Sequence, residues 1–267
     1  MGAVIHPSAV IDKTAKLGNE VVVGPFTLVE AGAEIGDGTV LDAHVVVGKN
    51  VRIGKNNRLF ANCVIGRGPQ VLNFNKPAGG LTIGDNNTIR EFVTIHPSMH
   101  PDKNTVIGSG NLLMIGVHLG HDCALGDMIV MSNYTQISGH CHIQTGAWLS
   151  GMVAVHQFCT IGKWCYAAGY AGIAHDIPPF VIVSGHYPSE VRGVNKRGMT
   201  RAGLNERQQE QIEEAYKFIW RSKKPVLEQV KALAEKDGLD ENVRAIIDLV
   251  LNMSKQRFGR YLELFRE

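Results

Sequence analysis

The chain has 267 residues, 44% of them hydrophobic, which excludes a disordered polymer. Its 27 Lys and Arg against 25 Asp and Glu leave a net charge of +2, too balanced to read a nucleic-acid or polyanion binder from charge. Gly is enriched at 30 residues and charged residues are sparse at 19%, a mixture that suits a chain with many backbone corners.

The opening MGAVIHPSAVIDK has no basic stretch followed by an apolar core, so no secretory signal is expected. From Ile5 a large aliphatic residue recurs every sixth position, through Ile11, Leu17, Val23, Val29 and onward to Ile65. The same register returns at Ile83, Ile89 and Ile95, and again from Ile107 to Ile173. Of these 26 positions 25 are Ile, Leu, Val or Met, and the exception is Ala167. The residue four further on is mostly small or apolar and never charged (Ala9, Ala15, Val21, Thr27), and Gly often follows the large aliphatic, as at Gly18, Gly24 and Gly36. A strand alternates every two residues and a helix every 3.6, so a strict six is a short strand plus a corner. Three such sides close one coil, which stacks residues 18 apart. With coils roughly 4.8 Å apart, the repeat predicts a mainly β, parallel β-helical prism about 40 Å long.

Residues 67–80 (RGPQVLNFNKPAGG) and 97–104 (PSMHPDKN) lose the pattern but keep its phase, and are expected as loops extruded from the prism. Residues 128–162 contain no Asp, Glu, Lys or Arg, a stretch long enough to span a bilayer. Asn133, Gln136, His140, His142, Gln144, His156 and Gln157 would be stranded in hydrocarbon there, so no stable membrane insertion is expected and a cytoplasmic protein is. Ile177-Pro178-Pro179 marks a boundary between a β-helical domain, 1–180, and a helical domain, 181–267. Within the latter, Asn205 and Gln208 form a capping box ahead of one helix. Pro225–Lys236 and Glu241–Phe258 read as two more amphipathic helices, and the tail is expected to pack on the prism.

All five cysteines (63, 123, 141, 159 and 165) fall in the small inward slot, and no zinc-finger spacing is present, so they read as small buried hydrophobes. Ten of the eleven histidines lie in the repeat and none occupies an inward slot. His6, His44, His100 and His175 read as plain surface residues. His118 and His121 share a coil, His140 lies 19 residues beyond His121, and His156 lies 16 beyond His140, so all four gather near one edge with Gly139 and Gln157. A neutral His suits general-base deprotonation of a hydroxyl or amine, and open backbone N–H groups at glycines suit an oxyanion. Together they suggest acyl transfer without a covalent enzyme intermediate. Three imidazoles on adjacent coils could instead hold zinc.

The hexads resemble those of the hexapeptide-repeat acyltransferases. More closely, NLLMIGVHLGHDCALGD (111–127), SGH (138–140), GMVAVHQFC (151–159) and DIPPFV (176–181) resemble the UDP-N-acetylglucosamine acyltransferases of lipid A biosynthesis. The resemblance covers essentially the whole chain. It implies a left-handed parallel β-helix with a C-terminal α-helical domain, a homotrimer, and no metal or other cofactor. The implied reaction moves a 3-hydroxyacyl chain from acyl carrier protein to the 3-position of a UDP-amino sugar. His121 matches the general base and Gly139 the oxyanion donor. Gln70, His118, His140, His156 and Gln157 match positions lining the substrate cleft, and Asp122 accompanies the base. Neighbours on a strand face opposite ways, which predicts that Asp122 does not form a simple dyad with His121. Gly169 matches the acyl-length ruler, and Asn195 and Arg201 match contacts to the nucleotide phosphates. Arg192, Lys196, Arg197 and Arg201 form a candidate basic patch for the acidic carrier. Three positions depart from the pattern: Val71 stands where a sugar-binding Asp is common, Ala202 replaces a second Arg, and Arg197 stands where an acidic residue is frequent. Alternatives are a related N-acyltransferase, a coenzyme A-dependent acetyltransferase, or a non-catalytic β-helical scaffold.

Overall fold

From Ile11 on, the large aliphatics of the hexads form or pack against one continuous core, with Leu41, Leu59, Ile65, Ile89, Leu113, Leu119 and Ile137 sealed from solvent, while Ile5 at the open end is exposed. The computed structural model describes residues 2–266. Successive coils pair in parallel, Val4 opposite Val22 and Ile5 opposite Val23, an 18-residue register. Across the first loop Arg58 pairs with Thr88, and across the second Thr94 pairs with His118, separations of 30 and 24 residues. Both insertions are therefore whole multiples of six, which is why the phase survives them. Three sheets result: an 11-stranded face starting at Val4–Ile5, a 9-stranded face starting at Val10–Ile11 and an 8-stranded face starting at Lys16–Leu17.

Sequence-adjacent sides are joined by tight corners whose second residue is left-handed, including Phe26 (φ 56°), Asp122 (60°), His140 (61°) and Phe158 (66°). Coils approach closely at the Gly that follows the aliphatic. A Cβ on Gly36 would lie 2.6 Å from the Gly54 carbonyl carbon, so any side chain there must push two coils apart. The inward small slots hold the five free, buried cysteines, and burial pushes the Cys63 and Cys165 thiols up to about 12. All five are buried packing residues, as their slot implied.

The β structure does not stop at Pro179. Val181–Ser184 extends the first face in parallel, and Glu190–Val194 returns antiparallel to it. The reason is visible in VIVS, which alternates buried and half-buried residues with a period of two, so the hexad register gives no notice of it. Helices follow: α1 (Lys196–Arg201), α2 (Glu206–Trp220), α3 (Val226–Ala234) and α4 (Glu241–Met253), then a 3₁₀ turn at Tyr261–Phe265. The Asn205/Gln208 capping box of α2 is present in both directions. A second core of Phe180, Met199, Ile212, Ile219, Val230, Ile246 and Ile247 seats these helices. Among the described residues no helix is long and apolar enough to cross a membrane.

Candidate active site

One corner, after the second face, gathers the candidate catalytic residues. Its first position stacks His121, Gly139 and Gln157, and its second stacks Asp122, His140 and Phe158, each set at 18-residue steps. The second loop leaves the prism at this same corner one coil earlier and folds back over Asp122. There the Ser98 hydroxyl donates to Asp122 Oδ1, and the Met99 N–H donates to Oδ2 at 3.1 Å. The Asp122 N–H is held by Thr105 Oγ1 at 2.8 Å.

His121 Nδ1 lies 2.8 Å from Asp122 Oδ2. The expectation that these neighbours face apart is wrong. They sit on a corner rather than a strand, and the left-handed φ of Asp122 swings its carboxylate back beside the imidazole. Burial opposes ionisation of Asp122, but the bonds from His121, Ser98 and Met99 outweigh it and hold the carboxyl at about 2. An ionised carboxylate only accepts, so Nδ1 carries the proton and Nε2 keeps its lone pair. The imidazole is thus fixed in orientation by Asp122, with Nε2 turned away from the carboxylate.

His140 stands edge-on to His121, centroids 4.9 Å apart and planes at 88°, and stacks flat on Phe158 at 4.5 Å. Burial pushes His140 down to about 4 against the pull of Asp122. Burial, then His96 and His121, push His118 to about 4 as well. His118 Nδ1 meets Thr94 Oγ1 at 2.9 Å, and its ring lies 5.2 Å from that of His96. His118 and His140 therefore remain neutral near pH 7. Gly139 is buried, and the ladder between coils runs through the N–H groups of Ser138 and His140, leaving out that of Gly139. A Cβ at position 139 would lie 2.7 Å from His121 Cε1 and 2.8 Å from Nε2, so only glycine lets the imidazole rest against this backbone.

The cleft in front of these groups encloses about 380 Å³ and adds Val71, Met99, His100 and Lys103 from the loops, with Phe265 and Arg266 from the tail. His100 was expected to be a plain surface residue, yet it lines the cleft. Gln157 lines it too; His156 adjoins it, with Nδ1 3.0 Å from the Gln157 carbonyl. Gln70 is exposed beside Val71 on the first loop. His121, Asp122 and His140 each offer a donor atom within 4.8 Å of the others, a set that could hold a metal ion. Such an ion would compete with the hydrogen bonds that Asp122 already accepts.

Other expected site residues lie elsewhere. Asn195, Lys196, Arg197 and Arg201 line a separate groove of about 630 Å³ with Trp148 and Tyr166. Asn195 is buried and committed to the fold: its Oδ1 caps α1 at the Gly198 N–H, and its Nδ2 donates to the Trp164 carbonyl at 2.8 Å. The Arg201 guanidinium lies over the rings of Trp148 (4.8 Å) and Trp164 (5.6 Å). Of the basic patch, Lys196 pairs with Glu213 and Arg192 with Glu190. Gly169 stacks on Gly151 at a different corner, and its Cβ position is open apart from a 3.5 Å contact to the Gly151 carbonyl.

Residues 176–259 match the family described as UDP N-acetylglucosamine O-acyltransferase, domain 2. An acyl-[acyl-carrier-protein]–UDP-N-acetylglucosamine O-acyltransferase of Herminiimonas arsenicoxydans is 44% identical over 160 residues, 59% of this chain and 60% of the relative. That of Gloeothece citriformis is 39% identical over 164 residues, 60% of this chain and 59% of the relative. These alignments therefore span about 60% of the curated relatives' length. Solved structures align more fully. The Francisella novicida UDP-N-acetylglucosamine acyltransferase superposes with a TM-score of 0.89 at 35% identity, covering 96% of this chain and 92% of that one. The Bacteroides fragilis enzyme gives 0.88 at 33% identity, covering 93% and 97%.

Proposed function

We propose that this chain, which belongs to the UDP-N-acetylglucosamine acyltransferase family, transfers a 3-hydroxyacyl chain from acyl carrier protein to the 3-position of UDP-N-acetylglucosamine or its 3-amino analogue. The observation that carries the reading is the Asp122-held His121, whose Nε2 lies against Gly139, a residue whose N–H takes no part in the ladder between coils. Nε2 takes the proton of the acceptor as that atom bonds to the thioester carbonyl carbon. The Gly139 N–H holds the oxyanion that forms, and Asp122 stabilises the imidazolium. The carbon–sulfur bond then breaks and the imidazolium proton passes to the departing thiolate. No metal or cofactor is required. Val71, which lines the cleft, offers the sugar an apolar contact in place of a carboxylate, so hydroxyl and amine acceptors are both to be tried.

The working unit we propose is a homotrimer. The corner between the first and second faces exposes a column of bulky residues, Phe26 (63%), Phe92, Tyr134, Met152 and Tyr170 (72%), each at positive φ. Large side chains held in that strained region and left in water are better explained by a second copy covering them. Arg197 and Arg201, which make no ion pair among the described residues, are the part of the basic patch left to meet an anionic partner. Acyl transfer by chelator-treated protein to each acceptor, with wild type and His121→Ala, tests the reading. A loss of about 10²–10⁴-fold in a folded variant is expected. No transfer by the wild type to either acceptor would overturn the assignment.

A further inference from the structure

Phe265 and Arg266, at the end of the segment 259–266, line the cleft although they belong to no hexad and none of the proposed chemistry uses them. Asp176 occupies the corner position of Asp122 three coils further on. It accepts from the N–H groups of Thr160 at 2.7 Å and Tyr261 at 2.9 Å, while its own N–H donates to the Gly259 carbonyl at 2.7 Å. Arg260 is buried, donates Nη1 to the Ala174 carbonyl at 2.9 Å and pairs with Glu263 at 2.7 Å. This anchorage sets the 3₁₀ turn against the His corner and brings Phe265 and Arg266 to the cleft wall.

The Arg266 guanidinium then lies 5.6 Å from the Phe158 ring, whose other neighbour in the stack, His140, abuts His121. Its carboxylate partner is Glu263 at 3.7 Å, and that carboxylate is already held more closely by Arg260. Among the described residues, Arg266 therefore presents a largely uncompensated fork of donors to a cleft that Lys103 also lines. Such a fork suits bidentate contact with a phosphate.

We propose that Arg266 is a substrate-binding residue that seats a phosphate group at the mouth of the cleft. The inference rests on the acyl-transfer reading, under which both substrates carry phosphate: the diphosphate of the sugar nucleotide and the phosphopantetheine arm of the carrier. UDP alone and 4′-phosphopantetheine alone are titrated calorimetrically into the full chain, wild type, R266Q and R266K, and KM and kcat are measured with each substrate varied. R266Q is expected to weaken one of the two ligands about tenfold, with a matching rise in that substrate's KM. Its kcat stays within about twofold and R266K recovers part of the loss, a split that a merely structural role would not give. The ligand affected identifies the phosphate. Affinities for both ligands within twofold of wild type would overturn the proposal. Wild type that binds these ligands but transfers no acyl chain would overturn the functional reading instead, leaving the titrations to decide the seat.

Discussion

Gly139→Ala tests how tightly His121, the proposed base, is held. The added Cβ would stand 2.7, 2.8 and 3.1 Å from Cε1, Nε2 and Nδ1 of His121, against an ordinary contact of 3.4–4 Å. The ring must retreat by about 0.7 Å or more, and its 2.8 Å bond to Asp122 resists, because Ser98 and Met99 hold that carboxylate in turn. A displacement near 1 Å costs on the order of 10²-fold in rate, or about 2.7 kcal/mol of barrier. The substitution keeps the Gly139 N–H, so the loss reports the placement of His121 rather than the proposed oxyanion contact. Steady-state acyl transfer should show kcat reduced about 10²-fold with KM within about threefold. Overpacking should cost about 1–3 kcal/mol in urea unfolding. Gly193→Ala is the control: it lies on the antiparallel return strand Glu190–Val194, and a Cβ there would meet nothing within 4 Å. It should shift stability by less than about 0.5 kcal/mol. A folded Gly139→Ala enzyme with kcat within threefold of wild type would refute the argument that this contact positions His121.

Three further outcomes are expected. Asp122→Asn would set an amide where His121 Nδ1–H needs an acceptor, lowering kcat about 10²–10⁴-fold. Because Asp122 titrates at about 2 when folded and near 3.8 when unfolded, the wild type carries stability above pH 4 that it loses as pH falls toward 2. That difference is about 2 kcal/mol and should be missing from the acid limb of Asp122→Asn in urea titrations at successive pH values. Gly36→Ala would drive a Cβ into the Gly54 carbonyl, which is backbone and cannot swing away; a destabilisation of about 1–3 kcal/mol is expected, and an unchanged urea midpoint would argue against close coil contact. Asn195→Ala should cost about 1–2 kcal/mol by removing the α1 cap. Binding of UDP should change only in step with that loss if the side chain serves the fold; a weaker UDP affinity at unchanged stability would restore Asn195 to the nucleotide site.

The β-helix was legible because a hexad is a local rule repeated 26 times, and each repeat makes the same inward demand on one aliphatic. The cysteines followed from the same rule. Contacts made across large sequence separation were not legible: no periodicity links Arg266 to Phe158, and the loop that carries Ser98 and Met99 to Asp122 has no repeat of its own. Asn195 shows the opposite hazard. A polar residue at a helix start matches a binding position and a cap equally well, and its two hydrogen bonds to backbone commit it to the cap.

The His cluster shows what a finer reading of the repeat yields. Offsets of 19 and 16 residues look like rough convergence on one edge. They follow from two parallel columns, His121–Gly139–Gln157 and Asp122–His140–Phe158, each stepping by 18. A corner has only two outward residues, and its second is left-handed, so side chains adjacent in sequence meet there when on a strand they would diverge. The alternation rule that parts neighbours on a strand therefore fails at the one place in a coil where neighbouring residues can share a proton, and that is where the His121–Asp122 pair sits.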